Sequence, residues 1–358
     1  MISEKKLNKV ISEILKGYGE NEKSASLAAD CLVKADMRGV STHGTYLLIP
    51  MLQRVKAGML DLPTKITLVK EDNATSIIDG GNGLGQIAAR KAMDISIKKA
   101  KKYGIALTLV RNTNNISFLG YYSNLAAQEG MIGFIGCNAA SSMAPWGSSE
   151  AFMGTSPISI SIPAKKERSI ILDMSSSIVA RGKIREASRN KEKIPLGWAI
   201  DEDGNPTTDP NEALKGTLLP IAGPKGSALA IIVDIIAGML SGSRFGLEVK
   251  PFHKLEGATG VGVFCIAIDI NKFYDLDCFC SMIDSYICSI KNLKKVKNVS
   301  EVYLPGELEF ISEQESREEG IKLDSKIIES LNDILEKLGS NLKLVYDWEG
   351  ILWNGLLK

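Results

Sequence analysis

Only two of the 358 residues are histidines, His43 and His253. An imidazole has an ordinary pKa near 6.5 and can give or take a proton at neutral pH. His43 stands in the run Met37-Arg38-Gly39-Val40-Ser41-Thr42-His43-Gly44, a turn that follows helical sequence. Its chemistry suits proton transfer, although a turn histidine bonded to a backbone carbonyl would read the same. A second candidate is Pro220-Ile221-Ala222-Gly223-Pro224-Lys225-Gly226, directly before an apolar helical run. Proline suits a helix start, and free N–H groups beside a lysine favour an anion. An ordinary helix start with a solvent-facing lysine fits that run equally well.

A third motif, Gly83-Leu84-Gly85-Gln86-Ile87-Ala88, matches G-x-G-x-x-A between an expected strand (Thr75 to Asp79) and a helix. This is the setting of a dinucleotide phosphate loop. The next strand, Ile105 to Val110, ends at Arg111 and Asn112, with no acid to hold a ribose. Arg111 could meet a 2′-phosphate, but Gly80-Gly81-Asn82 makes the turn longer than the motif needs. A glycine-rich connection without a cofactor is the better reading.

Composition narrows the classes. Hydrophobic residues are 44% and charged residues 24% of the chain, with a formal charge of +1, the balance of a globular protein. Clustered basic residues of the kind that neutralise phosphates are missing, so nucleic acid is not the expected partner. The patch Lys98, Lys99, Lys101, Lys102 falls at a helix end, where cations are favoured. No apolar run is long enough to span a bilayer, and Met-Ile-Ser-Glu-Lys-Lys is not followed by the apolar core of a secretory signal. A cytoplasmic location is expected, with the six cysteines reduced. Cys278, Cys280 and Cys288 lack the spacing of a zinc site, so no metal is expected.

The elements that must position these residues change character along the chain. Residues 4–18 and 24–38 have the spacing of amphipathic helices, and a third helical run covers Tyr46 to Lys56. From about Lys65, short β-branched runs at 66–69, 76–78, 105–110, 132–137, 158–162, 170–172 and 261–270 alternate with helical ones at 86–103, 121–129, 227–240 and 277–291. The segments near 140–157 and 188–224 read as long loops, which in compact domains usually serve function. Helical sequence returns over the last fifty residues, notably from Ser325 to Leu338. The expected class is α/β with a mixed sheet. Its division is a helical domain of residues 1–63 completed by 311–358, and an α/β domain of residues 64–310.

Taken in order, these blocks resemble the type-2 malate/L-lactate dehydrogenase family. The resemblance runs through Arg38 to Gly44, Gly83-Leu84-Gly85-Gln86, Asn112-Thr113-Asn114 with Gly120-Tyr121-Tyr122, and Gly130-Met131-Ile132-Gly133. It continues through Ala144-Pro145-Trp146-Gly147, Gly154-Thr155-Ser156-Pro157, Leu172-Asp173-Met174-Ser175 and Gly182-Lys183-Ile184. Pro195-Leu196-Gly197-Trp198, Leu219-Pro220, Lys225-Gly226 and Leu304-Pro305-Gly306-Glu307 complete it. The resemblance implies a non-Rossmann NAD(P)-dependent oxidoreductase, a homodimer acting on a small 2-hydroxy acid or related carbonyl compound, with His43 as acid/base. It implies nucleotide contacts at Ile171, Leu172, Asp173, Met174, Ser175, Pro224, Lys225, Gly306 and Glu307, with NAD favoured over NADP on account of Asp173. Leu47, Asn115 and Asn138 would line the substrate pocket.

Two departures stand out. The family commonly has arginine where Leu47 stands and histidine where Asn115 stands. An arginine grips a carboxylate with two parallel hydrogen bonds, and leucine cannot. Weak handling of malate and L-lactate is therefore expected unless Arg54, Arg181 or a second subunit supplies the missing charge. Reduction of a cyclic C=N bond is the alternative chemistry, and a cofactor-binding protein without turnover the alternative class.

Overall fold

The computed structural model describes residues 1–345; the rest of the expected helical completion, 346–358, lies outside the described residues. The chain opens with α1 (Glu4–Gly17), α2 (Glu22–Met37) and α3 (Leu48–Lys56). Ser3 and Asn21 cap the first two helices by accepting from Lys6 N (3.4 Å) and Ser24 N (3.0 Å). Leu7, Val10, Ile11, Ile14 and Leu15 form the buried stripe of α1. These residues join α2, α3 and residues 321–344 in one apolar cluster, so both ends of the described chain share a core.

The α/β part is built on β1 (Thr67–Glu71), β2 (Thr75–Asp79), β3 (Ile105–Thr113), β4 (Met131–Cys137), β5 (Ile158–Ile162) and β6 (Ile170–Met174). A two-residue pair follows, β7 (Ala199–Ile200) and β8 (Thr217–Leu218), and then β9 (Val261–Asp269). The large sheet has seven strands in the order β1-β2-β3-β9-β4-β5-β6, and β7 and β8 make a separate ribbon. Only β2 and β3 run parallel, so the sheet is mixed and the α/β class holds. β9, the last strand in sequence, lies near the middle and ties the two halves together.

Between β2 and β3 runs α4 (Gly85–Tyr103), and before β4 comes α5 (Gly120–Gln128). The segment read as a loop from 188 to 224 carries structure of its own: the end of α6 (Arg181–Asn190), then β7, α7 (Pro210–Lys215) and β8. These pieces are too short, and α6 too rich in Arg, Lys and Glu, to give an apolar period. The helical run expected from Ser227 to Leu240 starts earlier, as α8 (Pro224–Asp234), and ends in a π turn over Ile235–Met239. The Ser241 hydroxyl donates to the carbonyls of Ala237 (2.5 Å) and Gly238 (3.0 Å) at that turn. The remaining helices are α9 (Leu276–Lys291), α10 (Glu307–Glu319) and α11 (Ser325–Lys337).

The π turn presses directly on the central strand. A Cβ at Gly262 of β9 would lie 1.8 Å from the Ala237 carbonyl oxygen, so only glycine fits. Asn138 fastens the same region: its Nδ2 donates to Asp234 Oδ1 (2.9 Å) and the Arg244 carbonyl (2.8 Å), and its Oδ1 accepts from Gly262 N (2.9 Å). Gly262→Ala is expected to destabilise the fold by about 1–3 kcal/mol, the usual cost of overpacking. Equilibrium denaturation checks this, and an unchanged midpoint would show that the contact relaxes without cost.

Candidate active site

The His43 turn is shaped by the carboxylate of Asp36 near the end of α2. Asp36 Oδ2 accepts from the Thr45 N–H (2.8 Å) and from the Thr45 hydroxyl. Burial pushes this carboxyl up to about 6, against the two hydrogen bonds that favour its charge. A Cβ on Gly44 would fall 2.0 Å from Asp36 Oδ1, so glycine after the histidine is a packing requirement. From the other side, the Ser117 hydroxyl donates to the His43 carbonyl (2.5 Å), while the Ser117 N–H donates to Asn115 Oδ1 (2.8 Å). Asn115 thus helps build the support of the His43 turn.

His43 is half-buried, and its Nδ1 meets Thr42 Oγ1 at 3.0 Å. Loss of solvent lowers its pKa, and nearby His253 lowers it further by like-charge repulsion. The two histidines are 210 positions apart, yet the fold makes them neighbours. His253 rides on a loop held by Arg54. That guanidinium is fully buried and donates to the carbonyls of Lys254 (2.8 Å), Gly257 (2.5 Å), Phe252 (3.4 Å) and Met59 (3.4 Å). Arg54 is therefore committed to the backbone and leaves no grip for a substrate.

Arg181 is placed differently. A Cβ on Gly182 would sit 3.0 Å from Thr42 Cγ2, so the start of α6 abuts the His43 turn. One Arg181 nitrogen donates to the Leu214 carbonyl (2.6 Å), and its pKa is lowered by desolvation and by Arg185. Arg185 also lowers the pKa of His253, after desolvation. Sequence reading missed Arg185 and the part played by His253, because their proximity to His43 depends on contacts between distant segments.

The expected nucleotide contacts meet along one rim. Ile171 N donates to the Pro305 carbonyl (3.0 Å), which docks the Gly306-Glu307 turn onto β6. Asp173 Oδ2 accepts from Gly120 N (2.6 Å) at the start of α5. Crowding by nearby protein pushes the Asp173 carboxyl up to about 6, although the residue is exposed and backbone amides favour its charge. Beyond Ser175, Ile178 N donates to the Leu219 carbonyl (3.0 Å) and Ile221 N to the Ser176 carbonyl (2.9 Å), leading to Pro224-Lys225. The α8 terminus departs from expectation: Gly226 N donates to Ile221 O (2.9 Å) and Ser227 N to Gly223 O (3.2 Å). Its charge toward an anion comes from the exposed Lys225 side chain and the helix dipole instead of free amides.

Three other expected site residues are occupied elsewhere. Glu307 is bonded to Lys291 Nζ and accepts from Leu304 N (2.9 Å). Asn138 has the three internal partners given above. Leu47 is 2% exposed in the core of the helical unit. At the glycine motif, Leu84 N donates to Thr64 Oγ1 (3.0 Å), and a Cβ on Gly85 would lie 2.4 Å from the Asn114 carbonyl. Thr64 and Asn114 thus crowd the backbone of this turn. Arg111 is paired with Asp79 at 2.9 Å. Among the described residues no cluster of His, Cys, Asp and Glu is fit for a metal, and no helix is long and apolar enough to cross a membrane.

A family model for malate/L-lactate dehydrogenase matches residues 2–332. The chain belongs to this family. It is a dehydrogenase that uses a nicotinamide cofactor on hydroxy acids or their oxo forms. It is 38% identical over 342 residues to the malate/(S)-sulfolactate dehydrogenase of Methanothermus fervidus, covering 96% of this chain and 99% of that one. The solved sulfolactate dehydrogenase of Methanocaldococcus jannaschii superposes with a TM-score of 0.90 at 37% identity, over 95% of this chain and 98% of that one. Other relatives differ in cofactor by name: ureidoglycolate dehydrogenase (NAD(+)) of Escherichia coli K12 (29% identity; 92% of this chain, 94% of that one) and (2R)-3-sulfolactate dehydrogenase (NADP(+)) of Chromohalobacter salexigens (31%; 77% and 83%).

The Arg54 clamp makes a direct prediction. Arg54→Met leaves four carbonyls without their donor and should destabilise the protein by about 3 kcal/mol, with unsatisfied buried groups as the cause. Urea denaturation reads this out; a loss below roughly 0.5 kcal/mol, the size of an ordinary surface change, would mean that the loop holds without it.

Proposed function

We propose that the protein interconverts a 2-hydroxy acid and its 2-oxo acid, with His43 moving the proton of the reacting oxygen. The observation that carries this is the setting of His43: a half-buried imidazole, kept basic-form by its surroundings, with Nδ1 beside Thr42 Oγ1 and no partner on Nε2 among the described residues. An Nδ1–H donated to Thr42 leaves the Nε2 lone pair to accept the hydroxyl proton during oxidation. In reduction the same nitrogen returns that proton to the oxygen.

The residues along the rim suit a dinucleotide. Asp173 offers a carboxylate to a ribose diol, and Lys225 offers an uncommitted ammonium to phosphate. A nicotinamide held there supplies the hydride acceptor or donor. NAD is favoured, because Asp173 opposes a 2′-phosphate and Arg111 is already paired with Asp79. With Arg181 and Arg185 near the His43 turn, an acidic substrate is favoured, against the weak handling of malate and L-lactate that Leu47 alone suggested. The chain is also 25% identical to a solved Δ1-piperideine-2-carboxylate reductase of Pseudomonas syringae (TM-score 0.84, over 93% of this chain and 99% of that one), so cyclic imines belong in the assay as the second reading.

The homodimer expectation finds a different basis from the terminal helices, whose apolar faces cover one another. One exposed apolar stripe lies on α8 and the π turn that ends it, where Ile232, Met239 and Leu240 are 53%, 48% and 58% exposed. A two-fold partner would cover that stripe. Sedimentation should give a dimer at micromolar concentration, weakened by Ile232→Glu; a fully active monomer would remove the reading.

His43→Ala should lower kcat by roughly 10²–10⁴-fold while NAD(P)H affinity changes little. Oxidation requires neutral His43, and its pKa is lowered, so the acid limb of kcat/KM should lie below the ordinary histidine value of about 6.5. Unaltered turnover in the variant, or an acid limb above that value, would take His43 out of this role.

A further inference from the structure

The helix α10 touches both the nucleotide rim and the start of the His43 turn, without a core of its own. None of its 13 residues is fully buried, so polar ties and close approaches hold it in place. At its N-terminal end Gly306 rests on β6, where a Cβ would lie 2.9 Å from the Ile171 Cβ. About two turns further on, the helix grips the end of α2. The hydroxyls of Ser312 and Ser316 both donate to the Met37 carbonyl, at 3.0 and 3.1 Å. Glu313 Oε2 accepts from Arg38 Nε (2.8 Å), and its Oε1 accepts from Lys34 Nζ (3.1 Å) and Arg317 Nη2 (2.8 Å).

These ties converge on Arg38. Its guanidinium lies over the Phe310 ring of α10 at 4.8 Å and over the Phe118 ring at 5.7 Å. Phe118 follows Ser117, whose hydroxyl holds the His43 carbonyl. The Arg38 and Glu313 side chains are only 10% and 12% exposed, so salt screens their attraction little. From Arg38 the chain runs into His43 through closed turns: Val40 N donates to the Ala35 carbonyl (2.9 Å), and His43 N to the Val40 carbonyl (2.9 Å). Lys34 meets the same carboxylate one helical turn earlier, away from the His43 turn, and shares Glu4 as a second partner.

We infer that Glu313 is a positioning residue for His43: from a helix seated on β6 it holds Arg38, and so sets the His43 turn against the nucleotide rim. The purpose of this device rests on the proposed function, and its geometry on the contacts above. A catalytic group displaced by about 1 Å can lose about a hundredfold in rate.

The test reads the His43 imidazole directly by NMR. The chain has two histidines, so in a His253→Gln background the remaining imidazole signal is that of His43. Burial, and then His253, lower the pKa of His43 in the wild type. Release of the turn would readmit solvent and raise it. Loss of the Glu313 charge alone acts in the other direction, because a nearby negative charge favours the imidazolium. Asp36, Arg181 and Arg185, the other charged groups around the turn, are left unaltered. Between the His253→Gln parent and the same chain with Glu313→Gln, the His43 pKa should rise toward the ordinary value near 6.5. In the otherwise native chain, Glu313→Gln should lower kcat for oxaloacetate reduction by NADH at least about tenfold, with NADH affinity hardly changed. Glu313→Asp should recover part of both effects, and Lys34→Met should change neither. An unchanged or lowered His43 pKa in Glu313→Gln, or an equal rise in Lys34→Met, would overturn the inference. If the wild type does not reduce oxaloacetate, or His43→Ala keeps full turnover, the proposed function fails, and the His43 titration still decides whether Glu313 places the turn. Should Glu313→Gln not fold, Glu313→Asp is judged by the same titration: a smaller rise upholds the inference and no rise overturns it.

Discussion

The hydrogen bond from the Ser117 hydroxyl to the His43 carbonyl joins two parts of the molecule that have separate hydrophobic cores. On one side stands the helical unit, whose Asp36 carboxylate shapes the turn through Thr45. On the other stands the α/β part, where Asn115 fixes Ser117 before it reaches across. Catalytic groups act only when held in place, and errors of about 1 Å are costly to rate. The position of His43 is thus a property of both parts together.

The helical unit is further tied down by Glu20. Its Oε2 accepts from the Thr64 N–H (2.9 Å) and hydroxyl (2.6 Å), and Thr64 Oγ1 in turn accepts from Leu84 N at the start of α4. The glycine motif therefore serves the joint between the two parts. Its small residues let Thr64 and Asn114 approach the backbone, as the glycines of a dinucleotide phosphate loop let a pyrophosphate approach. The same glycine pattern permits close approach in both cases, and only the approaching group differs.

The class of the fold was legible because the apolar period changes near Lys65, and because helices such as α1 bury a clean stripe. α6 was not legible: charged residues dominate it, and only Ile184 and Ala187 are buried, so it carries no clear apolar period. At the candidate site, His43 stood out by its rarity and its turn. Arg185 did not, since nothing local separates it from the other cations of α6. His253 and Arg54 form one unit only after the chain has folded, through bonds to backbone carbonyls about 200 positions away. Side chain to backbone bonding of this range leaves no periodic trace. The pattern gives the position of Leu47 in sequence but not the direction of its side chain, which is into the core.

The central claim is one of place: proton transfer at His43, with the nucleotide along the rim from Asp173 to Lys225. A crystal structure of the protein with NADH and oxamate, an unreactive mimic of a 2-oxo acid, tests it most directly. The account predicts the oxamate oxygen within about 3.2 Å of His43 Nε2, and the pyrophosphate beside Lys225. Pyrophosphate seated on Gly83–Ala88, or oxamate bound away from His43, would contradict it.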